Sequence, residues 1–335
     1  MTAAADDADD WRPSADLAAL RLRARLYALI REFFAARGVL EVETPVLSEA
    51  GNSEPNIEGF TTHFSGHRDA GPPRRWLRTS PEYPLKRLLA AGVGDCYELG
   101  RVFRNGEAGV RHNPEFTMLE WYRVGWDHRR LADETVELVQ QALALAGRRA
   151  QVVSTTYREL FVRGAGVDPF AADIAQLGEP LQAFGIGGEG LTRDDWLDLL
   201  MTHVIQPAFA PDRITVVHDW PASQCALAKI RQPAPGSGDP AVAERFELYL
   251  GGLELANGYH ELTDASEQRQ RFQRDLVVRE GRIASLPVID ERLLDAMTKG
   301  LPECAGVALG VDRLLMAMLG TDRIADVLAF DFAQA

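Results

Sequence analysis

The sequence predicts a mixed chain of helices and strands, and three observations predict it. Residues 97–126, YELGRVFRNGEAGVRHNPEFTMLEWYRVGW, read as two strands around a polar loop. Residues 244–264, ERFELYLGGLELANGYHELTD, read as a second hairpin turning at Gly251–Gly252. Around them lie segments whose apolar residues recur at helical spacing: Ser14 to Arg37, His128 to Ala146 and Val311 to Leu319. With 335 residues, 46% of them hydrophobic, the chain can bury a large core in one elaborate domain or two small ones.

Composition narrows the function classes. Acidic residues outnumber basic ones by 49 to 36, giving a net charge of −13. A protein that grips a large RNA presents a basic field, so bulk tRNA binding is disfavoured. Cys96, Cys225 and Cys304 form an odd set without paired spacing, which reads as thiols of a reducing, cytoplasmic protein. The acidic start lacks the apolar core of a signal peptide, and residues 1–13 are expected to be a disordered tail. The best apolar run, Gly306 to Gly320, is interrupted by Asp312 and Arg313 and is too short to span a membrane.

Taken in order, the first element is a helix from an N-cap at Ser14 to Arg37, stopped by Gly38. VLEVETPVL (39–47) alternates as a strand, and Pro45 suits an edge or a bulge. Residues 48–75 are turn-rich, and His63 and His67 are too isolated to argue for a metal. RTSPEYPLKRLLAAG (78–92) sets Ser80, Pro81 and Glu82 before a helix from Pro84 to Ala91, where Glu82 suits the positive end of the helix.

The hairpin at 97–126 carries charges where a simple hairpin would not want them. Phe116, Met118, Glu120 and Tyr122 share one face of the second strand, by the period of two. A buried ion is costly unless paired, so Arg104, Glu120 and Glu115 should meet partners or a charged ligand. The loop adds Arg111, His112 and Asn113, with Pro114 forcing an extended return. Arginines at the base and tip of one loop suit a polyphosphate, whose oxygens guanidinium forks grip in pairs. A surface hairpin with ordinary ion pairs would show the same alternation.

A helix from His128 to Ala146 follows, then a mixed stretch over 150–215 whose glycine cluster, 184–190, lacks the strand and the Lys or Ser/Thr of a phosphate loop. DRITVVHDWPAS (212–223) reads as a buried strand and QPAPGSGDP (232–240) as a loop. In the second hairpin, a two-residue turn at Gly251–Gly252 sets Leu250 opposite Leu253, Tyr249 opposite Glu254 and Glu247 opposite Ala256. Glu247 and Glu254 then become diagonal neighbours about 7–8 Å apart, and two such carboxylates repel unless a cation lies between them. A hard divalent ion bridged to phosphates fits, magnesium commonly taking one or two protein carboxylates; a solvated acidic hairpin is the alternative. Asn257, Tyr259 and Glu261 fall on the opposite face unless a bulge at Asn257–Gly258 re-aims them. After a helix near Glu267 to Glu280, the run AGVALGVDRLLMAMLG places Arg313 in the first turn of a buried helix. A cation opposes the helix dipole there, so an anion is the economical explanation and a buried salt bridge the alternative.

FRN followed by RHNPEFTMLEWY resembles motif 2 of the class II aminoacyl-tRNA synthetases, in the form carried by the lysyl catalytic domain. Residues 303–319 resemble motif 3 and residues 24–47 motif 1, and the likeness runs from Leu17 to Phe332. It implies an α+β catalytic domain over residues 14–335, an antiparallel sheet flanked by helices, dimerising through motif 1. By this resemblance Arg104 and Arg313 are catalytic, and ATP is held by Arg104, Asn105, Glu107, Arg111, His112, Asn113, Phe116, Glu254, Leu255, Gly310 and Arg313. Glu247 and Glu254 match the residues that bind Mg2+. Ser80, Pro81, Glu82, Glu120, Tyr122, Asn257, Tyr259, Glu261 and Ala308 would form the amino-acid pocket. There Glu82 takes the amino group, while Glu261, Glu120 and Tyr122 take the side-chain ammonium. Three acidic groups around one cavity suit a substrate with two ammonium groups.

Three departures from the lysyl synthetases matter. The stretch ahead of motif 1 leaves no place for an anticodon-binding barrel. Ala308 stands where motif 3 usually has glycine, which fits a β-amino acid without demanding one. Gly106 precedes Glu107, displacing the acidic group of motif 2 by one residue. The resemblance therefore points to relatives that acylate a protein: activation of (R)-β-lysine (or lysine) as an adenylate and transfer to the ε-amino group of a lysine on elongation factor P, by a homodimer. The alternatives are a truncated lysyl-tRNA synthetase, a ligase for another carrier protein, and a catalytically silent regulatory relative.

Overall fold

The computed structural model describes residues 11–188, 190–280 and 286–335; residues 1–10 of the expected tail and Glu189 of the glycine cluster lie outside the described residues. The first helix, α1 (Leu17–Ala35), is capped by Asp16 rather than Ser14. The Asp16 carboxylate accepts from Ala19 N at 2.7 Å, satisfying one of the free amides of the first turn. Ser14 lies instead against the C-terminal segment, donating its N–H to Ala329 O at 2.8 Å.

After α1 come β1 (Leu40–Glu41), β2 (Leu47–Ser48), β3 (Thr61–His63), β4 (Arg74–Leu77), α2 (Glu82–Ala90), β5 (Cys96–Phe103) and β6 (Glu115–Val124). The middle of the chain holds α3 (His128–Leu145), β7 (Gln151–Thr156), α4 (Tyr157–Gly164), α5 (Ile174–Gly178), α6 (Arg193–Leu200), β8 (Arg213–Pro221) and β9 (Ile230–Arg231). It closes with β10 (Val242–Leu250), β11 (Leu253–His260), α7 (Ala265–Glu280), α8 (Glu291–Gly300), β12 (Cys304–Gly310) and α9 (Val311–Leu319).

The single strand expected over 39–47 is two short ends serving different sheets. β1 pairs in parallel with β5, whereas β2 pairs with β4 in a small sheet ordered β2-β4-β3. Pro45, which has no N–H to give a ladder, lies between them. The main sheet runs β1-β5-β6-β12-β11-β10-β8-β7, with β9 beside β10. Its centre is antiparallel, as the resemblance implies; its outer pairs, β1 with β5 and β7 with β8, are parallel.

Strand alternation gives the centre of this sheet two chemically distinct faces. Tyr97, Leu119, Trp121, Val307, Leu309, Phe246 and Leu248 lie on one, and α1, α3 and α9 cover them to make the largest core. Phe34 of α1 stacks on Tyr97 with ring centres 4.4 Å apart. The other face carries the charged residues. Around it pack two smaller cores, one from α2, α7 and α8 and one from α4 to α6. No helix among the described residues is long and apolar enough to cross a membrane.

Candidate active site

Register builds the floor of the site. One row of directly opposed residues crosses the sheet from Glu120 through Ala308 and Asn257 to Glu247. The next crosses from Tyr122 through Gly306 and Tyr259 to Arg245. Opposed residues share a face, and all eight line one cavity of about 970 Å³, large enough for a nucleotide with a small substrate. Gly306 is there for space. A Cβ on it would lie 2.3 Å from Tyr122 Cε1 and 2.4 Å from Glu261 Oε1.

The β10–β11 hairpin begins as the sequence predicts, with Leu250 opposite Leu253 and Tyr249 opposite Glu254. It then departs. Leu255 is an extra residue, so Ala256 faces Leu248 rather than Glu247, and Glu247 faces Asn257. This bulge falls before the expected Asn257–Gly258 position, yet does what that bulge was to do. It turns Asn257 and Tyr259 onto the face of Glu247 and Glu254, while Leu255 itself joins the core.

The end of the cavity around Glu120 and Glu261 is held by short hydrogen bonds. Glu120, 2% exposed, accepts from Ser80 Oγ at 2.6 Å and from Tyr122 OH at 2.8 Å. Burial, with the charge of Glu82 adding to it, pushes its pKa up to about 8. Glu261 is completely buried, and burial lifts it to about 7 although Lys86 opposes the shift. Ser80 Oγ also accepts from Glu82 N at 3.0 Å. Pro81, the N-cap residue of α2, does not line the cavity.

At the other end of the cavity, the Arg104 guanidinium lies over the Phe116 ring at 5.2 Å and 3.6 Å from Glu107. Its Nε is buried without a hydrogen-bond partner among the described residues. Asn105 turns away from the cavity, donating its N–H to Glu58 O at 2.8 Å and its Nδ2 to Glu58 Oε1 at 3.2 Å. Arg111 reaches Asp322 at 3.2 Å. Asn113 binds Glu115 O and accepts from Phe332 N, so it also fixes the C-terminal segment. Arg313 donates to Glu254 O at 3.1 Å and to His112 Nε2 at 2.7 Å. That bond requires a neutral imidazole, and burial and the charge of Arg313 both hold His112 below its ordinary pKa. The ion pair that the sequence left open for Arg313 exists: Glu254 Oε2 is 3.6 Å away. It faces the cavity, with the two side chains 26% and 38% exposed. Gly310 and Leu255 line the same space.

Glu247 and Glu254 line the cavity together. Burial is the main cause lifting Glu247 to about 7, and the negative charge of Glu254 adds to it. Arg245 and Tyr249 OH each bond one Glu247 oxygen.

Sequence reasoning missed Lys86 and Arg245. Lys86, 1% exposed, lies 2.5 Å from Glu82 Oε1 and 2.6 Å from Glu261 Oε2. Its spacing of four from Glu82 on a helix was a readable signal. Arg245 donates to Asn257 Oδ1 at 3.2 Å and lies over Trp220 at 4.3 Å; two residues before Glu247 on a strand, it had to share that face.

Residues 8–334 match the family described as tRNA synthetases class II (D, K and N). Over 328 residues the chain is 48% identical to the elongation factor P–(R)-beta-lysine ligase of Yersinia enterocolitica serotype O:8 / biotype 1B, covering 97% of this chain and 98% of that protein. It is 47% identical over 332 residues to the protein of that name from Sodalis glossinidius, covering 98% and 99%. With the Mannheimia succiniciproducens protein it shares 48% over 321 residues, covering 96% and 97%. The residues that build this cavity, and the length over which these matches hold, assign the chain to the class II tRNA synthetase family (D, K and N).

Proposed function

We propose that this chain activates (R)-β-lysine with ATP and transfers it to the ε-amino group of a lysine on elongation factor P. One observation carries the reading: a single cavity is lined by Arg104 and Arg313 and also by Glu82, Glu120 and Glu261. Fixed cations suit a triphosphate, and clustered carboxylates suit a diamino acid. Relatives of matching length supply the acyl group and the acceptor through their names.

In the first half-reaction the substrate carboxylate attacks the α-phosphorus of ATP, pyrophosphate leaves and the aminoacyl-adenylate forms. Arg104 and Arg313 stabilise the charge, and the acidic pocket aligns the carboxylate by anchoring the two ammonium groups. Phe116, stacked against Arg104, offers a flat face to the base. In the second half-reaction the acceptor amine attacks the acyl carbon and AMP leaves. Glu247 and Glu254 fit a magnesium ion: burial chiefly raises Glu247, the charge of Glu254 adds to that shift, and a cation between the two would relieve the added repulsion. Bound there, Mg2+ would supply positive charge to the phosphates. We also assign the chain to the cytoplasm as a homodimer joined through residues 24–47, where Leu40, Val46 and Leu47 expose 54%, 36% and 48% of their surface.

The test is the intact mass of elongation factor P after incubation with this protein, ATP, magnesium and (R)-β-lysine. A gain of one β-lysyl group, absent without ATP, is expected. No gain, with amino-acid-dependent pyrophosphate exchange intact, would redirect the second half-reaction to tRNA or another carrier.

A further inference from the structure

Lys86 is the buried cation at the back of the amino-acid pocket, and the reading above gives it no part. An isolated ammonium is among the costliest groups to bury, so it must be repaid by its contacts. Its contacts are two of the three carboxylates that face the substrate: Glu82, one turn earlier on α2, and Glu261, just past β11. The pair therefore joins a helix to the sheet through one nitrogen. Glu82 uses Oε1 and Glu261 uses Oε2. Among the described residues neither buried Glu261 oxygen has a hydrogen-bond partner: Oε2 meets Lys86 in the ion pair at 2.6 Å, whereas Oε1 meets no cation and lies 2.4 Å from where a Gly306 Cβ would be. Gly306 and Glu261 both line the cavity, so this orphaned acceptor sits at its wall. A buried carboxylate oxygen without a donor calls for a ligand donor.

We propose that Lys86 is a positioning residue for substrate selection: an internal ammonium held between Glu82 and Glu261 that fixes one oxygen of each, so that each presents its other oxygen to one ammonium group of a diamino acid. Fully ionised, the three carboxylates with Lys86 carry two net negative charges, the complement of two substrate ammonium groups. A monoamino acid leaves one of those charges buried and unanswered, which disfavours it. Among the described residues, the other groups facing this cluster are Tyr83 on α2, Cys96 on β5, Tyr122 beside Glu120 on β6, Tyr259 and His260 on β11, and Cys304 on β12, with Lys229 and Glu303 beyond. His260 is itself paired with Glu244. Among the described residues, Lys86 is thus the cation in direct contact with the two carboxylates.

This inference rests on the proposed amino-acid site, and the experiment separates the two. Amino-acid-dependent pyrophosphate exchange is measured for the wild type, Lys86→Met and Lys86→Arg between about pH 6 and 9, a range that brackets the raised carboxyl groups. No exchange by the wild type with any diamino acid overturns the function itself. With exchange present, Lys86→Met is expected to raise the diamino-acid KM about tenfold or more, leave the ATP KM within about twofold, and move the pH limb of binding about one unit alkaline, since a lost cation raises its carboxylates by about that much. Lys86→Arg, which keeps the charge, is expected to restore both. A folded Lys86→Met protein with wild-type KM and pH limb overturns the proposal. If that variant does not fold, Lys86→Met/Glu82→Gln, which removes the repulsion between Glu82 and Glu261, is compared with Glu82→Gln alone. An alkaline shift of the limb supports the proposal, and coincident limbs overturn it.

Discussion

Arg313 is placed against the interest of its own helix. It stands in the first turn of α9, where the helix dipole disfavours a cation, and its carboxylate neighbour is shared with the cavity rather than sealed around it. Arg313→Ala should therefore leave melting unchanged or slightly raised while lowering pyrophosphate exchange by about a hundredfold or more. Retained exchange would remove Arg313 from the phosphate site. Gly306 makes the complementary case, of a residue needed for what it lacks. A Cβ there meets Tyr122 and Glu261 Oε1 inside 2.5 Å, and both neighbours are buried. Gly306→Ala should raise the amino-acid KM by on the order of a hundredfold through displacement of those groups by about 1 Å, with the ATP KM little changed; an unchanged amino-acid KM would show that the pocket gives way elsewhere. Both residues were legible in the sequence, Arg313 through its conflict with the dipole and Gly306 through the motif around it. Lys86 was not, because its partner Glu261 is brought to it only by the folding of distant segments, and spacing along a helix showed just half of its ion pair.

Elements carried the clearest reading and the clearest error in the same hairpin. The turn at Gly251–Gly252 and its first two pairs follow from local rules, but the bulge at Leu255 does not. A strand's period of two is blind to an inserted residue unless the burial of both sides is known. Leu255 is 2% exposed in the main core, whereas Glu254 before it and Asn257 after it face the cavity. Deleting Leu255 restores an unbroken ladder and drives either Glu254 or the Asn257–Tyr259 face toward the core. Such a variant should lose cooperative unfolding by circular dichroism, while Leu255→Met, which keeps the residue count and much of the volume, should cost less than about 1.5 kcal/mol. A deletion variant that unfolds like the wild type would show that the bulge is dispensable. The split of residues 39–47 into β1 and β2 was hidden for a related reason. Alternation in the sequence cannot tell one strand from two that serve different sheets.

At the scale of the whole molecule, the acidic composition disfavoured a bulk RNA grip but said nothing of where acids would gather. The fold gathers Glu120, Glu247 and Glu261 on one sheet face, and burial leads the causes that raise each of them, to about 8, 7 and 7. Unfolded, these groups return to the ordinary carboxyl range near 4.5. Between that value and the raised ones the folded protein holds protons that the unfolded chain has released, so stability falls as pH rises through this window. Groups of opposite sign limit the acid side. Glu244 is lowered to about 2, chiefly by its bond to His260, so it contributes stability that is lost only as pH falls toward that value. The ligand-free protein, without added metal, should therefore melt at its highest temperature in mildly acid buffer and at progressively lower temperature as pH rises toward about 8. A diamino acid adds two positive charges to this face and favours the ionised carboxylates, so the rise in melting temperature that it causes should grow over the same interval. A neutral amino acid of similar size should give no such growth. Melting curves across pH, with and without each ligand, decide the matter: a ligand-free melting temperature that climbs with pH would mean that the three carboxylates are ionised and compensated before any substrate arrives.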